Sequence, residues 1–124
     1  MKKILMIIAF MGSLSLGAQE YIAPSADDDV SKMAKEMAFD FDKKLSLTEK
    51  QLLMVEKLNE EFLQRQGLIF DNEELTIAEK NYRMKEMYEE QSREMADILT
   101  RPQLARYRKI RGEIQPLVII EEED

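Results

Sequence analysis

Apolar residues recur at steps of three and four along most of this chain, and the stripes they form predict an all-α fold of four amphipathic helices. Val30, Met33, Met37, Phe41 and Leu45 share one helical face, which predicts a first helix over about residues 29–44. Val55, Leu58, Phe62 and Gln66, with Met54 and Asn59 at the edges, predict a second over 49–66, and Gly67 is the expected stop. A third stripe runs through Leu75, Ile77, Ala78, Tyr82, Met84, Met87, Tyr88, Met95 and Ile98 and meets no Pro or Gly before Pro102, predicting a helix over about 73–98. Gln91 and Ser92 break that stripe, so its face is expected to be only partly buried. Leu104, Tyr107, Ile110 and Ile114 predict the fourth helix, ended by Gly112 and Pro116.

The openings of these helices carry more information than their interiors. In Leu47-Thr48-Glu49-Lys50-Gln51-Leu52, the Thr48 hydroxyl is placed to accept from the Gln51 N–H while the Gln51 side chain accepts from the Thr48 N–H. This is a capping box, and Leu47 with Leu52 makes the hydrophobic staple that fixes the angle of the chain. The same pattern returns fifty-two residues later as Leu99-Thr100-Arg101-Pro102-Gln103-Leu104, where Pro102 is accommodated because the first helical turn lacks an acceptor for its missing N–H. A further box is read at Asp71-x-x-Glu74, with Phe70 and Leu75 as staple, to open the third helix.

The amino-terminal end adds a destination. Lys2 and Lys3 precede an apolar run from Ile4 to Met11 and then small residues to Ala18, the order of a secretory signal peptide. Its fifteen residues from Ile4 to Ala18 fall short of the roughly twenty that a helix needs to cross a bilayer. Cleavage is expected after Gly17 or Ala18, leaving a soluble product with no stable membrane insertion, and the expected location is the periplasm. Residues 19–28 mix Pro, Ser, Ala and Asp without periodicity and are read as a flexible arm. Residues 29–116 form the expected helical domain, and 117–124, an apolar tetrad followed by four acids, an acidic tail.

With no cysteine, a chain this small must be held by helix packing, oligomerisation or both. Loss of Lys2 and Lys3 leaves 16 basic against 25 acidic residues, a net charge of −9, which makes nucleic acid an unfavourable partner.

Two Leu-Thr-x-x-Gln motifs, LTEKQ at 47–51 and LTRPQ at 99–103, each opening a helix in a small exported four-helix chain, resemble the Spy/CpxP family of periplasmic proteins. The resemblance covers roughly residues 30–114 and rests on Leu47, Thr48, Gln51, Leu99, Thr100 and Gln103. It implies a cradle-like pair of helical hairpins, elongated, antiparallel and paired as a homodimer. It also implies an ATP-independent chaperone or an accessory protein of envelope-stress or metal-stress sensing, with unfolded or partly folded envelope proteins as partners. Two features depart from the family pattern. Members best known as chaperones offer a basic concave surface, whereas this chain is acidic and keeps that character only from Arg101 to Arg111; the stretch between the motifs is also shorter.

Candidate chemistry points to contact rather than catalysis. No His or Cys is present to build a triad, a thiolate or a transition-metal site, and the adjacent pairs Glu60/Glu61 and Glu89/Glu90 diverge around a helix. No cofactor is expected. The methionines support two readings: filler for an irregular thin core, or an adaptable surface for clients, with Met54, Met84, Met87 and Met95 as its candidates. Arg106 and Lys109 project away from the Leu104/Tyr107/Ile110 face and join that candidate surface, although the basic run is also read as an internal partner for the acidic face of helix three. The alternatives to a chaperone are a signalling adaptor of an envelope-stress sensor and a metal-binding accessory protein, for which Met33/Met37 or Met84/Met87 would supply soft ligands.

Overall fold

The computed structural model describes residues 28–121, so the predicted signal segment 1–18, the arm up to residue 27 and the last three acids of the tail lie outside the described residues. Four helices follow one another: α1 Asp28–Leu45, α2 Glu49–Asp71, α3 Ile77–Ile98 and α4 Arg101–Ile114. Among the described residues there is no strand.

The connections between α1 and α2 and between α3 and α4 are two or three residues long, which folds each pair back on itself as a helical hairpin. α1 packs along α2 and also against α4, while α2 packs against α3; the packing of α3 on α4 is the slightest of the four. The small residues Ala34 and Ala38 are fully buried on α1 and let its backbone approach α2 closely. Around them the core gathers Phe41, Leu45, Val55, Leu58, Phe62, Met84, Met87, Met95, Leu99 and Tyr107. Phe41 and Tyr107 fasten α1 to α4, their rings tilted at 43° with centroids 5.3 Å apart.

α1 ends as a helix should, but with an unusual residue. Ser46 takes the left-handed conformation, φ 54°, and returns its N–H to the Asp42 carbonyl at 2.8 Å. The Asp42 carboxylate then accepts from the Leu47 N–H at 2.9 Å, so one residue of the last turn closes two loose ends.

Three expected boundaries are corrected. Gly67 does not stop α2, which continues to Asp71 because Ile69 and Phe70 lie half-buried against the core and their packing outweighs the poor helix propensity of one glycine. The Asp71-x-x-Glu74 box therefore does not exist: Asp71 is the last residue of α2, and α3 opens later, at Thr76. Thr76 Oγ1 accepts from the Glu79 N–H at 3.1 Å and Glu79 returns the contact by accepting from the Thr76 N–H at 2.8 Å. Between the helices Asn72 makes a side-chain turn, its Oδ1 accepting from Glu74 N–H at 2.9 Å. Lys80 donates to the free Phe70 carbonyl at the end of α2 at 2.6 Å. Gly112 likewise lies inside α4, which ends at Ile114 before Pro116.

Candidate functional site

The two Leu-Thr-x-x-Gln motifs meet. Each begins as a capping box: Thr48 Oγ1 accepts from Gln51 N–H at 3.1 Å, and Thr100 Oγ1 from Gln103 N–H at 3.4 Å. In return Gln51 Oε1 accepts from Thr48 N–H and Gln103 Oε1 from Thr100 N–H, each at 2.9 Å. Those backbone donors fix which end of each amide is oxygen, and so aim each Nε2 across the gap between the hairpin turns. Gln51 Nε2 donates to Gln103 Oε1 at 2.8 Å, and Gln103 Nε2 to Gln51 Oε1 at 3.1 Å.

The remaining N–H groups reach into the opposite turn: Gln51 donates to Ile98 O at 3.0 Å and Gln103 to Leu45 O at 3.2 Å. Every donor and acceptor of both amides is thereby used, in a nearly two-fold arrangement that locks the end of α1 to the start of α4 and the end of α3 to the start of α2. Leu99 is buried, and Leu47, Leu52 and Leu104 pack half-buried against the core beneath this clasp.

A second polar chain crosses the middle of the fold. Gln91 Nε2 donates to Asn59 Oδ1 at 3.2 Å and to Gln115 Oε1 at 2.9 Å, and Asn59 Nδ2 reaches Ala34 O at 3.5 Å. The break that Gln91 makes in the apolar stripe of α3 is thus a buried connection rather than an exposed gap. Arg111 of α4 stacks on Tyr88 of α3 with its guanidinium carbon 3.3 Å from the ring centroid, and donates to the Tyr88 carbonyl.

The candidate surface residues separate into two groups. Met84, Met87 and Met95 are buried members of the core, which favours the core-filling reading for those three while the tail is in place. Met54 is exposed and, with Leu58 and Ile98, forms the apolar part of an open groove of about 510 Å³ between α2 and α3, edged by Glu61, Glu94 and Asp97. Burial raises the Glu94 carboxyl above its ordinary range, helped by the like charges of Glu61 and Glu90. Nearby, Arg65 and Glu90 form an ion pair at 2.9 Å, and that bond holds the guanidinium above its usual value.

Arg106 and Lys109 are exposed. Arg106 shares a shallow basic basin of about 410 Å³ with Lys43 and Lys44 beside the clasp. The Arg65–Glu90 pair joins α2 to α3 and the Lys43–Asp40 pair lies within α1, whereas α4 joins α3 through Arg111 on Tyr88.

Among the described residues no three acidic groups are placed to hold a metal ion, and no helix is long and apolar enough to cross a membrane. The chain matches no protein-family model, no curated protein and no solved structure.

The sequence pattern located both capping boxes but not their mutual contact. Two identical polar boxes at matched positions are the signal: a Gln that has capped its own helix still has two N–H groups to place. The sequence pattern does not mark Asn59 and Gln115 as buried partners, since the first sits at the edge of a stripe and the second beyond a helix end.

Proposed function

We propose that this chain is an exported, periplasmic protein of the Spy/CpxP kind that holds unfolded or partly folded envelope proteins by surface contact, without nucleotide, as a chaperone or envelope-stress component. The observation that carries the reading is a clasped frame that leaves large apolar side chains outside: Leu68, Tyr82, Leu53 and Phe39 are 72%, 64%, 63% and 57% exposed. Charged groups border them, as where Lys43 lies 5.4 Å from the centroid of the Phe39 ring. Apolar contacts with solvated edges accept many sequences without fixed complementarity. A homodimer that joins two such chains into a cradle is part of the same proposal.

The test is light scattering of heat-unfolded citrate synthase and of reduced insulin with the exported chain at near-stoichiometric amounts and no nucleotide. Delayed aggregation of both clients supports the reading, and no delay of either overturns it. Mass measurement of the same preparation checks export: the chain is expected to lack residues 1–17 or 1–18.

A further inference from the structure

The segment after α4 is non-helical from Gln115 to Glu121, yet α3 grips its main chain at two places. Tyr88 donates its hydroxyl to the Gln115 carbonyl at 3.0 Å. Asn81 closes a ring of two bonds on Ile120, its Nδ2 donating to the carbonyl at 2.8 Å and its Oδ1 accepting from the N–H at 2.7 Å. An amide that serves both polar groups of one residue imitates a neighbouring β-strand. Bonds of this kind read the backbone and are indifferent to the side chain at that position.

Between the grips, Pro116 and Val118 close over Phe62 of α2 and Met84 and Met87 of α3, leaving about 20 Å³, room for about one water. Leu117 packs against the core, while Val118 and Ile119 remain exposed on their outer sides. The chain runs from Tyr88 towards Asn81, against the direction of α3. One turn further along the same row lies Ile77, exposed and apolar, just where the chain itself turns acidic at Glu121. The row of α3 is therefore longer in apolar character than the segment that covers it.

From these contacts we infer that the groove floored by Phe62 of α2 and Met84 and Met87 of α3, distinct from the open groove at Met54, is a docking site for an extended, β-branched apolar segment of an unfolded polypeptide, and that the chain's own Leu117–Ile120 run fills it until such a segment displaces it. A terminal segment held by a few main-chain bonds opens at far less cost than the fold as a whole. Its tether gives it a millimolar-scale effective concentration, so short weak segments are kept out. A long client segment that also covers Ile77 gains a contact the tail lacks. The inference rests on the reading of the chain as a holder of unfolded clients and names the kind of segment held.

Because the chain contains no cysteine, Ile119→Cys in the full chain accepts a single environment-sensitive dye. The probe is the synthetic peptide KVTVIVTVIK. It is expected to shift the dye emission saturably and to speed exchange of the Ile120 amide, measured in the unlabelled chain, at least tenfold. Ile120→Pro removes the N–H that Asn81 accepts and releases the tail without touching the groove, so it should bind the peptide at least fivefold more tightly than the parent. Adding Asn81→Ala to Ile120→Pro should weaken binding again, with circular dichroism confirming that both variants keep their helices.

No dye shift and unchanged exchange at millimolar peptide overturn the inference. Equal peptide binding with and without Asn81 overturns it too, as does a peptide-independent dye shift that accompanies doubling of the mass, which would mean exchange of tails between two copies. If the parent delays client aggregation but the peptide neither binds nor competes, the docking site falls and client holding stands. If the peptide binds but no client is protected, the reverse holds.

Discussion

Gln51 and Gln103 hold each other by both ends of their amides, at 2.8 and 3.1 Å, while each still caps the helix it opens. Neither could do both unless the two hairpin turns lay face to face. The repeat in the sequence is therefore a repeat in space, and one contact fixes where four helix ends stand.

This pair should behave as a unit. Gln51→Ala and Gln103→Ala are each expected to cost about 1–3 kcal/mol, because each leaves partly buried donors and acceptors without a partner. The double variant should lose about 0.5–3 kcal/mol less than the sum of the two, read from urea denaturation. Strict additivity would show that the cross-turn bonds contribute nothing beyond the separate caps.

The caps themselves can be ranked. Thr48→Ala, Thr76→Ala and Thr100→Ala should each lower stability by roughly 0.5–2 kcal/mol, since each hydroxyl accepts from the third backbone N–H of its helix. Asp71→Ala should stay within about 0.5 kcal/mol, as an exposed last residue of α2 that caps nothing. A large effect at Asp71 with none at Thr76 would restore the boundary that the sequence pattern proposed.

Two backbone positions offer gains. A methyl group added at Gly67 would meet nothing within 4 Å, so Gly67→Ala should stabilise mid-helix α2 by about 0.5–1 kcal/mol. Ser46→Gly should relieve the left-handed turn at φ 54° by up to about 1–2 kcal/mol, less the entropy that glycine adds to the unfolded chain. Thermal denaturation of both variants checks this, and a loss at either site would contradict the conformation assigned there.

Alkaline titration should single out Tyr107. Burial pushes its hydroxyl up to about 12, against a smaller pull from Arg111. A folded-state value above the unfolded one means stability that is complete below about pH 10 and is lost as pH climbs towards about 12. The phenolate absorbance step of Tyr107 should therefore coincide with unfolding. Tyr107→Phe should abolish that step and leave stability at neutral pH unchanged or higher, because among the described residues the hydroxyl has no hydrogen-bond partner.

The helical stripes and the Thr-Gln boxes were legible because capping and amphipathic spacing act within one turn of chain. Where the sequence pattern failed, a longer-range effect decided. Core contacts carried α2 through Gly67, and Thr76 with Glu79, the same box signature as at Thr48, took the start of α3 from Asp71. Burial of Met84, Met87 and Met95 could not be told from exposure, since a broad stripe on α3 does not say which part of it α2 covers. The grip of Asn81 on Ile120 joins residues thirty-nine positions apart and leaves no local trace.

If clients are held on the exposed apolar side chains, Phe39 and Leu53 belong to the surface that meets them. Phe39 and Leu53 stand outside the packed interior, so Phe39→Ser with Leu53→Ser should leave the melting temperature within a few degrees of the parent. The decisive measurement is the light scattering of heat-unfolded citrate synthase with this double variant beside the parent. The parent is expected to delay aggregation and the variant to lose most of that delay; full protection by a correctly folded variant would overturn client holding on these side chains.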